Sequence, residues 1–138
     1  MNTIIVDENT QSRNLTYNIL NNLPNIKITG NFDNFSQVIN YDTLNLIIFD
    51  INSNNSSEIL AKIKTLKLEY YNLNFIATSY EINSQLVNQA LKIGVNDFIL
   101  KPILPTILET SIKKLNLTKT KKAKTISVFS NKGGVGKT

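Results

Sequence analysis

The amino-acid sequence predicts an α/β fold, a doubly wound five-stranded parallel sheet with helices on both faces. Three observations carry that expectation. Strand-like apolar runs alternate with segments whose apolar residues recur at helical spacing, and five such pairs fit within residues 1–116. The run Leu44–Phe49 is densely apolar, as a strand buried on both faces requires. The chain has 138 residues, 41% of them hydrophobic, enough to bury a core without a disulfide or a metal.

The elements follow in order. Thr3–Val6 is a β-branched run bounded by Asp7-Glu8-Asn9 and predicts the first strand. Leu15, Ile19, Leu20 and Leu23 recur at helical spacing until Pro24 stops the segment. Ile26–Thr29 alternates as a second strand ending at Gly30, and Phe35, Val38 and Ile39 predict a short second helix. Leu44–Phe49 is the third strand, ending at Asp50, and the polar run Asn52–Ser57 is a loop. Ile59, Leu60, Ile63 and Leu66 mark the third helix, and Leu73–Ala77 the fourth strand. Leu86, Val87, Ala90 and Leu91 mark a helix closed by Gly94. Val95–Leu100 is the fifth strand, ended by Lys101-Pro102, and Ile103–Leu115 is the last helix. Repeated βα units of this kind fit the flavodoxin-like strand order 2-1-3-4-5. Residues 1–116 form this domain, 117–124 a lysine-rich linker, and Thr125–Ser130 opens a second domain over 125–138.

Composition removes several chemistries. With no Cys and no His, thiolate sites, disulfides and the Ser-His-Asp triad are excluded. The apolar runs are too short to span a bilayer. The N-terminus lacks a basic leader, so a cytoplasmic location is expected. The net charge of +5 is unevenly spread. Residues 1–112 hold 7 basic and 10 acidic side chains (−3), and residues 113–138 hold 8 lysines and no acid (+8). Such a tail can neutralise the phosphates of nucleic acid or lipid, but it reads more simply as a solvated linker, and nucleic acid is not an expected partner. Asn is abundant without forming tracts, which reads as compositional bias with no structural role.

In a doubly wound sheet, ligands bind beyond the carboxyl ends of the strands. The residues at those ends are Asp7 and Glu8, Asp50, Ser79 and Lys101. Three gathered carboxylates repel one another unless a cation sits among them. With oxygen ligands alone, Mg2+ is the ion favoured. One carboxylate can then attack phosphorus, while Lys101 and Ser79 stabilise the transferred oxygens.

These residues resemble a family. Val6-Asp7-Glu8, Phe49-Asp50-Ile51-Asn52, Ser79 and Phe98-Ile99-Leu100-Lys101-Pro102 are similar to the receiver domains of two-component response regulators, over roughly residues 2–116. The segment Ala90–Phe98 is also typical of that family. The resemblance implies that Asp50 is the phosphoacceptor. It implies that Asp7, Glu8, Asp50 and the backbone carbonyl of Asn52 hold Mg2+, that Lys101 and Ser79 assist, and that Ser79 and Phe98 switch. It also implies a cis bond between Lys101 and Pro102, and that Asn52 and Glu81 stand where receivers tune phosphoryl loss. Thr78 competes with Ser79 for the switch role, and spacing to Lys101 favours Ser79. The loop after Asp50 departs from the family in lacking a Met-Pro-Gly turn.

The end of the chain carries a second signal. Lys132, Gly133, Gly134, Gly136, Lys137 and Thr138 follow a strand-like run and form a phosphate-cradling loop. They resemble the deviant Walker motif of MinD/ParA ATPases, which would bind ATP only in a longer parent protein. This chain, without the rest of that domain, is not expected to be an enzyme. A receiver joined to such an ATPase resembles the TadZ/CpaE pilus-assembly type. The resulting expectation is a signal receiver phosphorylated by a histidine kinase or other phosphodonor, regulating its attached ATPase in pilus assembly or polar localisation. The alternative is a phosphorylation-independent pseudo-receiver that docks or forms a homodimer.

Overall fold

The computed structural model describes residues 1–81 and 83–125, with side chains described through Leu115. Two compact units are distinguished, Met1–Leu108 and Glu109–Thr138. The elements are β1 (Asn2–Val6), α1 (Thr10–Asn21), β2 (Lys27–Phe32), a 3-10 turn (Phe35–Gln37), β3 (Leu46–Asp50), α2 (Ser56–Glu69), β4 (Asn74–Ser79), α3 (Ser84–Lys92), β5 (Asp97–Leu100) and α4 (Pro105–Thr125). The five strands form one sheet in the order β2-β1-β3-β4-β5, with every pairing parallel. The expected fold is the observed one.

The central strands are buried because they are apolar on both faces. Leu46, Ile47, Ile48 and Phe49 of β3 and Phe75, Ile76 and Ala77 of β4 are almost wholly removed from solvent. Each such Leu, Ile or Phe contributes about 1.5–3 kcal/mol. Phe49 stands edge-on to Phe35 at 5.9 Å and to Phe75 at 6.3 Å between ring centroids, a favoured aromatic geometry. Val6 pairs with Phe49 and Asp50 with Thr78, so the strands finish nearly level and their following residues meet on one rim.

Asparagine has a structural role after all. Asn9, Asn34 and Asn83 precede α1, the 3-10 turn and α3, and each side chain accepts a backbone N–H of the first turn, from Ser12, Ser36 and Leu86. These bonds satisfy donors that the helix start leaves without partners. Compositional bias alone is therefore an incomplete account.

Several boundaries shift, β4 running to Ser79 and β5 starting at Asp97, and three differences have a clear physical cause. β2 continues past Gly30 to Phe32. A Cβ on Gly30 would lie 2.8 Å from the Phe32 ring, so the glycine permits a close ring approach within the strand instead of ending it. The short second helix is only the 3-10 turn Phe35–Gln37, and Ile39 is 96% exposed. The last helix starts at Pro105, where proline's missing N–H costs nothing, and runs to Thr125. It thus crosses residues 117–124, expected as a linker, because nothing after Pro105 is a proline or glycine until Gly133. The expected strand at 126–130 and the glycine-rich loop at Lys132, Gly133, Gly134, Gly136, Lys137 and Thr138 lie outside the described residues.

Candidate functional site

The rim where the strands end brings together four residues that sequence reasoning singled out. Asp7 follows β1, Asp50 closes β3, Ser79 closes β4 and Lys101 follows β5. Lys101 is the centre. Its Nζ donates to Asp7 Oδ2 and to Asp50 Oδ1, both at 2.7 Å. The Lys101 side chain is 2% exposed, Asp7 3% and Asp50 14%. A buried ammonium is tolerated only with such partners. The Lys101 backbone N–H donates to the Ser79 carbonyl at 2.7 Å, which anchors the lysine stem to the end of β4. The Lys101-Pro102 peptide is cis, as the resemblance implies.

The Asp7 carboxylate and the backbone beside both acids are held from behind. Asp7 N–H donates to the Phe32 carbonyl at 2.9 Å. Asp7 Oδ1 accepts from Asn9 N–H at 2.9 Å, an Asx turn that leads straight into the Asn9 cap of α1. Arg13 Nη1 donates to the Asp7 carbonyl at 2.8 Å and pairs with Asp33. Beyond Asp50, the Ile51 N–H donates to the Thr78 carbonyl at 2.9 Å, tying β3 to β4.

Burial pushes the Asp50 carboxyl above its ordinary value. The hydrogen bond and charge of Lys101 oppose that rise, and the charges of Asp7 and Glu8 reinforce it. Three carboxylates thus act on one another around a single ammonium, leaving an excess of negative charge at the rim. Glu8 is exposed, and among the described residues no three acidic side chains form a preformed metal cage. This donor set fits Mg2+, which keeps several waters and binds through one or two carboxylates. Asp7, Glu8 and Asp50 border an open groove of about 750 Å³, walled by Phe35 on one side and by Ile59 and Lys62 of α2 on the other.

The other expected residues are placed as follows. Ser79 is fully buried, and its Oγ accepts from Glu81 N–H at 3.1 Å. The Thr78 hydroxyl donates to the Phe49 carbonyl at 3.3 Å, so it is engaged by the strand behind the rim. Phe98 is half-buried against the core. Asn52 Oδ1 accepts from the N–H groups of Asn54 and Asn55, while Asn55 Oδ1 accepts from Asn52 N–H at 2.9 Å. This reciprocal Asn52–Asn55 box shapes the loop that lacks the family turn. The Asn52 carbonyl accepts from Asn55 N–H at 3.2 Å.

Three contributors escaped sequence reasoning. Arg13 supports Asp7 from the first turn of α1, and no local pattern marks it. The Tyr80 ring lies with its centroid 5.1 Å from Lys101 Nζ, a cation–π distance; its place beside Ser79 was the available signal. Ser53 donates from N and Oγ to Glu81 Oε1 at 3.0 and 3.1 Å, a pairing across 28 residues that spacing does not reveal.

The model of the response regulator receiver domain matches residues 3–113. The chain belongs to that family. Solved structures similar to this receiver domain include the RcsB response regulator of Salmonella typhimurium (22% identity, TM-score 0.71, 84% of this chain and 60% of that one). Another is the isolated receiver domain of RcsB from Salmonella enterica serovar Typhimurium with the phosphomimetic BeF3− (21%, 0.72, 84% and 88%). A third is a protein described as the CpaE2 pilus assembly protein of Sinorhizobium meliloti (14%, 0.67, 83% and 99%). At these identities the likeness is one of fold. The chain spans less than two thirds of the first of these proteins. No curated protein sequence matches significantly. No helix among the described residues is long and apolar enough to cross a membrane.

Proposed function

We propose that this receiver domain accepts a phosphoryl group on Asp50 in a Mg2+-dependent step. The observation that carries the reading is the Lys101 bridge between Asp7 and Asp50, at 2.7 Å to each. One Asp50 oxygen bonds to phosphorus as the bond from phosphorus to the donor's leaving atom breaks, and the leaving group departs with the electron pair. Lys101 offers its charge to the phosphoryl oxygens. The Ser79 hydroxyl, released from Glu81 N–H, hydrogen-bonds one of them, and Phe98 follows that movement. Asp7, Glu8, Asp50 and the Asn52 carbonyl are the residues that would hold Mg2+, whose charge would neutralise the transferring group. Acetyl phosphate with Mg2+ is expected to add one phosphoryl group to the intact mass, and Asp50→Ala to abolish the addition. A wild-type chain that takes up neither a phosphoryl group nor beryllofluoride overturns the reading.

We further propose that the receiver regulates an attached MinD/ParA-like ATPase, in pilus assembly or polar localisation. The motif Lys132–Thr138 and the likeness to a pilus assembly protein support it. The expected parent chain continues past Thr138 and binds ATP. A parent without such a domain removes this half of the proposal and leaves Asp50 untouched.

A second reading, docking or dimerisation without phosphorylation, is favoured by one feature. Tyr80, Leu91 of α3, Leu100 on the edge strand β5, and Leu104 and Ile107 at the start of α4 are each at least 45% exposed. A dimer seen by light scattering that is indifferent to Mg2+ and beryllofluoride supports it. A dimer that forms only with both supports the first reading.

A further inference from the structure

The loop after Asp50 is fastened to the loop after Ser79 by one side chain. Ser53 N–H donates to Glu81 Oε1 at 3.0 Å, and Ser53 Oγ donates to the same oxygen at 3.1 Å. Glu81 in turn donates its own N–H to Ser79 Oγ at 3.1 Å. Two parallel hydrogen bonds from Ser53 to Glu81 and one from Glu81 to Ser79 therefore connect the three residues.

The position of the Ser53 N–H gives this chain of bonds its meaning. That N–H and the Asn52 carbonyl belong to a single planar peptide unit, on opposite sides of it. Whatever fixes the direction of the N–H fixes the direction of the carbonyl. A side-chain oxygen that accepts from that N–H holds the plane of the peptide, and with it the carbonyl, in one direction. Residues that orient a metal ligand in this way govern its affinity without touching the metal.

We propose that Glu81 is a positioning residue that aims the Asn52 carbonyl through the Ser53 N–H, and so couples metal binding to the state of Ser79. The proposal rests on the reading above in which that carbonyl is a Mg2+ ligand. It goes further in placing the control in the other loop. When the Ser79 hydroxyl leaves Glu81 N–H, the Glu81 loop is released and its hold on Ser53 slackens. By reciprocity, Mg2+ on the Asn52 carbonyl steadies the Glu81 loop.

The test uses the unphosphorylated full chain. Calorimetric titration gives the Mg2+ dissociation constant, and NMR gives the hydrogen exchange of the Ser53 amide. Glu81→Ala is expected to speed Ser53 exchange and to weaken Mg2+ binding about tenfold, while Glu81→Gln, which keeps an acceptor oxygen but not the charge, stays within about twofold of wild type. If Glu81→Gln and Glu81→Ala weaken binding equally, the effect is the field of the carboxylate and the proposal fails. It also fails if Glu81→Ala speeds exchange without weakening Mg2+ binding, or leaves the Ser53 amide protected. A wild-type chain that shows no Mg2+ heat at all overturns the metal reading itself, and this proposal with it. Failure of Glu81→Ala in a chain that binds Mg2+ overturns this proposal alone.

Discussion

Lys101 Nζ and Asp50 Oδ1 lie 2.7 Å apart across 51 residues of chain, and Asp7 Oδ2 lies at the same distance from the same nitrogen. The parallel sheet makes this possible. β1, β3 and β5 all run in one direction, so the residues that close or follow them arrive at one rim. One buried cation thus serves a buried anion, Asp7, and a half-buried one, Asp50.

Lys101→Met removes that cation and leaves Asp7 and Asp50 facing each other. Breaking a buried ion pair from one side is costly, so the variant is expected to lose about 3 kcal/mol of stability at pH 7. The loss should shrink at pH 5, where one carboxyl can protonate. Urea unfolding at both pH values measures it. Equal losses at both would show that the carboxylates do not depend on the lysine.

Asp50 contributes a pH dependence whose sign follows from its raised folded-state value. In the window between the ordinary Asp value and the raised one, the native state binds more protons than the unfolded state. Stability therefore falls as pH rises through that window, and the penalty persists above it. Burial is the main cause of the rise; Lys101 opposes it, and the charges of Asp7 and Glu8 add to it. Asp50→Asn is expected to flatten this segment and to stabilise the chain at pH 7 by on the order of 1 kcal/mol, since Lys101 keeps Asp7. Urea midpoints in chelator-treated buffer across pH 4–7 test it.

Mg2+ held as proposed by Asp7, Glu8 and Asp50 should stabilise the native chain, since the unfolded state offers no such site. At a hundredfold excess over its dissociation constant the gain is about 2.7 kcal/mol. Thermal melts with Mg2+ and with EDTA are expected to differ accordingly, and Asp50→Ala to remove most of the difference.

Both ends of α3 are open to a stability test away from the site. Asn83→Ala deletes the oxygen that accepts Leu86 N–H at 3.1 Å and is expected to cost about 1 kcal/mol. Gly94 has φ of +107°, and a Cβ there would meet Lys67 Cε at 2.9 Å. Gly94→Ala is expected to cost about 1–2 kcal/mol, mainly through the backbone. Urea unfolding should show both, with the Mg2+ dissociation constant unchanged.

The legible part of this protein was its periodicity. Apolar alternation separates strands from helices because a strand shows a period of 2 and a helix one of 3.6. Parallel βα repetition admits few topologies. That is enough to place Asp7, Asp50, Ser79 and Lys101 at strand ends from the sequence alone. Local chemistry was less legible. Gly30 looked like a strand end because a glycine's role depends on what approaches it, here the Phe32 ring. Ile39 looked like a helix face residue, yet a run this short cannot meet the cost of nucleating a helix.

By itself the sequence determined the fold class, the strand order and which side chains reach the rim, because these follow from patterns repeated along the chain. The tertiary structure alone decided which groups touch there. Lys101 shared between two carboxylates, Tyr80 over the ammonium and Glu81 on the Ser53 amide are contacts between loops distant in sequence. Such contacts depend on the relative placement of separate strand ends to within a fraction of an ångström, and no local spacing encodes that.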